Sequence, residues 1–210
     1  MIGLNKNNQK GSTMIEALGV LTIIVMLGVS SIKLIGNIMG MFKQSLVTSE
    51  IRDLQKAISE RYRFEGNYKS LLEGKDSDQI VKYLCDEKIA PNQMCANDKM
   101  YHRMGGPVWV MPIVVGSDAD GNDVYDYSKY AVTFWNLTDR ACVNVAEINW
   151  HNKDRSDIYK LIINSGKTFQ KTFDLPQNLY EGSLSFPVSV SEAMEACKND
   201  DSNDVEWVFF

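Results

Sequence analysis

The feature that most constrains the fold is a long apolar segment near the start of the chain. Sixteen consecutive residues between Glu16 and Lys33 carry no charge, and the apolar pattern resumes after Lys33 through LIGNIMGMF. A helix needs roughly 17 to 25 apolar residues to cross a bilayer, and a lysine side chain can extend towards the lipid headgroups. The segment therefore predicts a membrane-spanning helix.

The residues before this segment are basic. MIGLNKNNQKG contains Lys6 and Lys10 and no acid, which predicts that the start of the chain stays in the cytoplasm while the rest is exported. A secretory signal would end in a small-residue cleavage site after its apolar core. Here the apolar run continues into the charged segment SEIRDLQKAISERYRF. We therefore expect the apolar segment to be retained and only the polar leader, residues 1–11, to be removed.

Glu16 has two competing explanations. Thr13 and Glu16 fit the S/T-x-x-E capping box, which would satisfy free backbone donors at a helix start. Alternatively, the carboxylate serves a function, because a charge near the bilayer centre costs on the order of 3 kcal/mol and needs a partner. Cleavage after Gly11 would create a cationic partner, the α-amino group of Ser12.

The leader, the glycine and the acid occur in a fixed order. A short basic leader ends at Gly11, and STMIEALGVLTII follows, with Glu16 as the fifth residue after the glycine. This order resembles the prepilin signature of type IV pilins and of the related pseudopilins of type II secretion. The resemblance implies cleavage between Gly11 and Ser12 by a prepilin peptidase, N-methylation of Ser12, and pairing of Glu16 with the amino terminus of a neighbouring subunit. The partners it implies are other pilins in a filament and the inner-membrane assembly platform.

Glycines recur along the apolar segment at intervals of nine, eight and four residues: Gly19, Gly28, Gly36 and Gly40. Small residues let membrane helices approach closely, as a filament with a bundled helical core requires. The general tolerance of membrane helices for glycine explains the spacing equally well.

Beyond Phe42 the pattern becomes amphipathic. Apolar residues recur every three or four positions among charged ones, which predicts a helix that packs on a soluble core. These residues are Val47, Ile51, Leu54, Ile58 and Tyr62. We expect the helix to end near Gly66, which can adopt the left-handed conformation of a helix stop.

The remaining chain, residues 67–210, predicts an α+β domain. SDQIVKYLCDE predicts a short helix, and PVWVMPIVV and YDYSKYAVTFWNL predict paired strands on either side of a turn. TDRACVNVAEI predicts a helix capped by Thr138 or Asp139, and SEAMEAC one capped by Ser191. SLSFPVSV and VEWVFF predict further strands. Residues 67–104 are expected to form a mixed connecting region with surface loops around the SDQIVKYLCDE helix, and residues 151–187 to form surface loops.

The order of these elements resembles the globular domain of type IVb pilins. The resemblance rests on GGPVWV, YAVTFWNLTDRACV, SEAMEAC and a terminal strand. It implies a long, partly transmembrane N-terminal helix packed on a mostly antiparallel sheet. The expected parts are the leader 1–11, the transmembrane half 12–42, the amphipathic half 43–66 and the globular domain 67–210.

Four cysteines in an exported domain favour two disulfides, although the sequence alone allows three pairings. The resemblance pairs Cys142 with Cys197 and so defines a C-terminal disulfide loop, and Cys85 with Cys95 would close a short one. A zinc site is disfavoured, because the chain has no Cys-x-x-Cys and its only histidines are His102 and His151.

Two acidic segments are candidates for calcium binding. DADGND places Asp118, Asp120 and Asn122 at alternating positions, but Asp123 stands where a calcium loop has glycine and Lys129 where it has its bidentate glutamate. A polar hairpin turn is favoured there, and a solvated loop is favoured for KNDDSND. We expect no metal and no cofactor.

Taken together, these features predict a structural protein and not an enzyme, since the sequence has no G-x-S-x-G, phosphate loop or His-Glu-x-x-His. The net charge of −5 also gives no reason to expect nucleic acid as a partner. The leading hypothesis is a type IVb-like pilus subunit, inserted in the inner membrane and then assembled into a surface filament for adhesion, aggregation or conjugation. The alternatives are a type II secretion pseudopilin, a minor pilin that acts as a binding module at the tip, and an anchored protein that forms no filament.

Overall fold

The structure is a computed structural model that describes residues 9–152, 155–156, 158–165, 170–174, 184–185, 188–198 and 202–210. Side chains are described for these residues except 9–15, 24–41, 151–152, 155–156, 170, 174 and 184–185. The chain divides into two units, Met1–Phe42 and Lys43–Phe210.

The first helix, α1, covers Gln9–Tyr62. The apolar positions predicted for its second half are all buried, with at most 3% of each residue exposed: Val47, Ile51, Leu54, Ile58 and Tyr62. The amphipathic prediction is therefore confirmed. α1 ends four residues before the predicted Gly66, because a turn closes there with the Glu65 amide donating to the Tyr62 carbonyl at 3.0 Å. Gly66 follows with φ +70°, the left-handed conformation that was expected.

Four short helices follow among the described residues of the globular unit. They are α2 (Lys69–Leu72), α3 (Ser77–Asp86), α4 (Asp139–Ala146) and α5 (Val190–Ala196), and a 3-10 turn covers Asn92–Met94. Helices α3 and α4 confirm two predictions, and Thr138 caps α4 by accepting from the Ala141 amide.

The predicted cap of α5 was wrong. Ser189, not Ser191, caps this helix, because Ser189 and Glu192 form a reciprocal capping box. The Ser189 amide donates to the Glu192 carboxylate at 2.9 Å. Ser191 cannot form such a box, since the third residue after it is Met194, which has no acceptor.

The strands have these bounds: β1 Cys95–Ala96, β2 Lys99–Met100, β3 Val108–Ser117, β4 Asp123–Leu137, β5 His151–Asn152, β6 Arg155–Ser156, β7 Ile158–Ser165, β8 Gln170–Asp174, β9 Leu184–Ser185 and β10 Asn203–Phe209. A six-stranded sheet has the order β3-β4-β10-β7-β8-β9. All its pairs are antiparallel except the parallel pair β8–β9. The predicted β3–β4 hairpin and the terminal strand β10 are both present.

The prediction of surface loops over residues 151–187 was wrong in part. Strand β7 lies in this range and pairs with β10 along its whole length. Its sequence alternates, with Leu161, Ile163 and Ser165 buried, so the two-residue period of a strand was present. Within the predicted strand SLSFPVSV, residues 183–190, the structure describes the two strand residues of β9, and residues 183 and 186–187 lie outside the described part.

The core of this unit lies between the second half of α1 and one face of the sheet. One row of cross-strand neighbours on this face is fully buried: Val110, Val132, Trp207, Leu161 and Phe173. The Tyr130 hydroxyl reaches the Gln55 carbonyl of α1 at 3.4 Å. Burial of this apolar area is the main favourable contribution to the stability of the unit.

Two disulfides join elements of the globular unit. Cys85 in α3 is bonded to Cys95 in β1, and Cys142 in α4 is bonded to Cys197 immediately after α5. The Cα atoms are 5.8 Å apart in both pairs. Of the three pairings that the sequence allows, this is the one that follows from the type IVb resemblance.

Gly106 lies in close contact with β4. A Cβ atom at this position would overlap the Trp135 carbonyl oxygen and the Nε2 atom of His102. We expect Gly106→Ala to lower the free energy of unfolding by about 2 kcal/mol, because a backbone oxygen must move. Gly116→Ala is the matched control: a Cβ there meets no atom within 4 Å, so a change below about 0.5 kcal/mol is expected. If both variants lower the free energy of unfolding equally, as measured by urea unfolding, the structural importance of the close contact at Gly106 is contradicted.

Candidate assembly site

The three residues that the sequence singled out lie near the start of α1. Gly11, Ser12 and Glu16 all fall within the helix, and the side chain of Ser12 lies outside the described ones. Thr13 also lies inside α1, which runs from Gln9, and not at its first turn. In the uncleaved chain Thr13 is therefore not at the start of a helix, and the side chain that would form the capping box lies outside the described ones.

The described side chains around Glu16 are apolar and exposed. Four large apolar residues have between 57% and 62% of their area exposed: Leu18, Val20, Leu21 and Ile23. At 100° per residue these positions point to different sides of the helix. A helix that is apolar on all sides needs an apolar environment around it, and residues 16–23 find none among the described residues of this chain.

The polar groups of this segment differ in how they are satisfied. The Thr22 hydroxyl donates to the Leu18 carbonyl at 2.7 Å, so its polarity is satisfied within the helix. Glu16 is exposed, and no hydrogen bond or ion pair joins it to any residue whose side chain the structure describes. Its carboxylate is therefore available for a partner from outside the chain.

Gly19 lies three residues after Glu16, on a neighbouring part of the helix surface. A Cβ atom at Gly19 would meet nothing within 4 Å. The absence of a side chain therefore serves no packing purpose among the described residues. A second helix could approach closely here.

The predicted membrane span covers residues 12–42, in the first half of α1. In the part of the chain that the structure describes, no helix combines the length and the apolar character needed to cross a membrane. Much of the predicted span, residues 24–41, has side chains outside the described ones. The transmembrane half 12–42 stays a prediction.

The second half of α1 also carries a carboxylate, but this one has its partner within the chain. The side chain of Glu50 is 2% exposed, and its Oε1 lies 3.2 Å from Nε of Arg103. Its Oε2 accepts from the Arg103 amide at 2.9 Å. Burial raises the pKa of Glu50, and Arg103 opposes this shift. Through this ion pair and hydrogen bond, Glu50 connects α1 to the loop before β3. Glu16 has no such interaction with the described side chains.

Sequence reasoning missed Glu50, although a signal was present. Glu50 follows Val47 by three residues and precedes Leu54 by four. It therefore lies on the apolar stripe of an amphipathic helix, where an acid needs a buried partner.

His102 has a structural role. Its Nε2 lies 2.8 Å from the Trp135 carbonyl oxygen, and its Nδ1 accepts from the Met104 amide at 3.2 Å. Because both nitrogens are engaged, the neutral ring with its proton on Nε2 fits this site. Its ring also stacks on Phe134 with centroids 5.4 Å apart. All four cysteines are in disulfides, and no group of three or more metal-binding side chains occurs among the described residues.

Burial lowers the pKa of His102 below its ordinary value of 6.5. As the pH falls below about 6.5, the unfolded chain takes up a proton that the folded chain excludes, so folding stability falls with pH in this window. We expect His102→Gln to remove this loss. The free energy of unfolding of the native chain minus that of the variant should therefore decrease from pH 7.5 to pH 5.5. If the free energy of unfolding depends on pH in the same way in the native chain and in the variant, the role assigned to His102 is contradicted.

The first acidic segment weighed for calcium forms a polar hairpin turn. An Asp118 oxygen accepts from the amides of Asp120 and Asn122 at 2.9 and 2.8 Å. The Asn122 side-chain amide also donates to Asp118 at 3.0 Å. These bonds lower the pKa of Asp118, and they satisfy the carboxylate within the turn. In the second segment, residues 199–201 lie outside the described part.

Comparisons with known proteins complete this description. No protein-family model matches the chain, and no curated protein matches it. Among solved structures, the chain is similar to the crystal structure of TcpA, a type IV pilin from the El Tor biotype of Vibrio cholerae. The superposition has a TM-score of 0.46 and 11% sequence identity, and it covers 80% of this chain and 99% of that chain.

Proposed function

We propose that the chain is a structural subunit of a type IV pilus of the IVb kind, made as a precursor and cleaved between Gly11 and Ser12 by a prepilin peptidase. One observation carries this proposal: Glu16 is an exposed carboxylate without a described partner, in a segment whose large apolar side chains are more than half exposed. The same helix continues into a half that is packed in a globular domain.

Cleavage supplies the missing partner of Glu16. It removes residues 1–11 and leaves a positively charged amino group on Ser12, which N-methylation preserves as a cation. In a lipid environment an unpaired carboxylate is costly, so Glu16 of an incoming subunit pairs with the amino terminus of a neighbour. This pairing fixes the axial register of the two subunits.

The apolar surface of residues 12–42 has two successive environments in this proposal. In the inner membrane, lipid surrounds it, with the amino terminus in the cytoplasm. In the filament, the same segments of neighbouring subunits surround it, and Gly19 allows close approach. The globular unit then lies on the filament surface, where it serves adhesion, aggregation or conjugation.

A shearing experiment tests this function. Cells that express the chain with a prepilin peptidase and an assembly platform should release filaments in which the chain is the dominant protein. A chain that stays in the membrane fraction and forms no surface filament would contradict the proposal. A trace amount in filaments made of another subunit would assign it to the minor pilins.

A further inference from the structure

The β3–β4 hairpin extends beyond the rest of the sheet. β10 pairs with β4 only from Tyr130 to Leu137, so residues 113–126 form a two-stranded ribbon with no third strand among the described residues. Every residue from 114 to 125 is exposed. A two-stranded ribbon is at best marginally stable by itself. We therefore expect this ribbon to gain stability from a partner that covers it.

The ribbon carries open apolar side chains. Val114, Val115, Val124 and Tyr125 each have between 38% and 60% of their area exposed. Val114 lies directly opposite Tyr125, so these two share a face. The ring centroids of Tyr125 and Tyr127 are 6.1 Å apart, and Tyr127 packs against the core. The apolar inner side of the sheet therefore continues onto the ribbon, where it is open.

The ribbon is also acidic. Between Arg103 and Lys129 the chain has four acids and no base: Asp118, Asp120, Asp123 and Asp126. Asp126 pairs with Lys129, and Asp118 accepts from the amides of its own turn. No hydrogen bond or ion pair joins the carboxylates of Asp120 and Asp123 to any residue whose side chain the structure describes. A matching surface would therefore be both apolar and basic.

Such a surface lies on α1. The only charged residues between Glu16 and Glu50 are two lysines, and the second of these, Lys43, is exposed. Phe42, the residue before it, is 57% exposed. No acid lies three or four residues from Lys43, where a helical ion pair would form. The nearest acid in the sequence, Glu50, is already bound to Arg103. This part of α1 therefore offers an apolar ring and a cation without a local acid.

The ribbon and Lys43 lie far apart within one copy. The helix from Lys43 to Tyr62 is about 28 Å long, at 1.5 Å per residue. The ribbon begins near the far end of this helix, because the rings of Tyr62 and Tyr68 are 6.1 Å apart and the Tyr68 amide donates to the Tyr127 carbonyl at 2.8 Å. Contact between the two surfaces thus requires a second copy. Because it uses different surfaces on the two copies, it repeats head to tail and builds an open assembly.

We propose that the ribbon of one copy docks on α1 of a second copy around Phe42 and Lys43. The carboxylates of Asp120 and Asp123 pair with the Lys43 ammonium group, and the open apolar side of the ribbon packs on Phe42. The contact covers the ribbon and gives Lys43 the acid that its own helix lacks. This inference rests on the proposed filament function, since an assembled fibre holds copies displaced along the helix axis.

Charge reversal tests the contact in cells that express the full chain with a prepilin peptidase and an assembly platform. Asp120→Lys/Asp123→Lys should lower the yield of sheared filaments about tenfold, because like charges then meet at the contact. Lys43→Glu should lower it similarly. Combining the three substitutions restores opposite charges and should return the yield to within about threefold of the native value. A merely structural effect of either variant would not be rescued in this way.

Asp78→Lys/Glu87→Lys is the matched control. Both acids are exposed, Asp78 in α3 and Glu87 directly after it, and this variant changes the net charge by the same amount outside the ribbon. Its filament yield should stay within about twofold of the native value. The amount of each variant in the membrane fraction, measured in parallel, separates assembly from folding and insertion.

Carbodiimide cross-linking of native filaments measures the contact directly, since it joins only carboxylates and amines that already touch. Mass spectrometry should find Lys43 linked to Asp120 or Asp123. Three results would overturn this inference and leave the filament function standing: native yield from the charge-reversed chain, no rescue in the combined variant, or ribbon cross-links only to other residues or to another protein. A native chain that forms no filaments would overturn both.

Discussion

Replacing Glu16 with Gln is expected to reduce the yield of sheared surface filaments roughly a hundredfold. Gln is nearly the same size but carries no charge, so it cannot form an ion pair with the amino terminus of a neighbour. The electrostatic contribution at stake is on the order of 3 kcal/mol at membrane depth, and each 1.4 kcal/mol corresponds to about a tenfold change in an equilibrium. Folding and membrane insertion should be unaffected, because the side chain of Glu16 is exposed.

Thr22→Val provides the matched control for Glu16→Gln. Thr22 lies in the same segment, but its hydroxyl is already bonded to the Leu18 carbonyl. Its replacement removes a polar group without changing charge, so near-native filament yield is expected. The amount of each variant in the membrane fraction should be measured in parallel. Normal filament yield from the Glu16 variant would contradict the assigned role.

Removal of the second disulfide is expected to cause the largest loss of stability. The Cys142→Ala/Cys197→Ala variant should lose about 4 kcal/mol of unfolding free energy, because this disulfide spans 55 residues and restricts the unfolded chain strongly. The Cys85→Ala/Cys95→Ala variant should lose about 3 kcal/mol, since its span is only 10 residues. Urea unfolding followed by tryptophan fluorescence measures both.

The second disulfide joins the segment after β4 to the segment before β10. Cys197 precedes β10, which occupies the sheet position between β4 and β7. Cys142 is fully buried in α4, which follows β4. The bond thus holds the chain that enters β10 close to the chain that leaves β4. If the Cys85→Ala/Cys95→Ala variant loses more unfolding free energy than the Cys142→Ala/Cys197→Ala variant, this interpretation is contradicted.

The elements that the sequence predicted well are those in which the pattern is local. The amphipathic half of α1 repeats Val47, Ile51, Leu54 and Ile58 at helical spacing, and every one is buried. The β3–β4 hairpin has two β-rich runs on either side of a polar turn, and Asp118 organises that turn through its own hydrogen bonds.

The features that escaped prediction depend on contacts distant in sequence. Strand β7 gains its place from pairing with β10, about 45 residues later. The tie between Glu50 and Arg103 joins α1 to a loop that no local pattern connects with it. His102 is fixed by the Trp135 carbonyl, and Gly106 is required by the same close approach. A single sequence shows the residues of such contacts but not their pairing.

The candidate assembly site rests on the resemblance of this part of the sequence to the prepilin signature, and its role stays a prediction. Gly11, Ser12 and Glu16 were identified from their fixed sequence order, and the structure adds that Glu16 is exposed and without a described partner. Processing itself stays a prediction, because it depends on a peptidase that acts on the chain.

The most direct test of the central claim is the mature amino terminus of the membrane form. The chain should be co-expressed with a prepilin peptidase and analysed by intact mass and N-terminal sequencing. We predict a start at Ser12 with a methylated amino group, and a full-length form in the absence of the peptidase. An uncut form that begins at Met1 in the presence of an active peptidase, or cleavage beyond the apolar segment, would contradict the account.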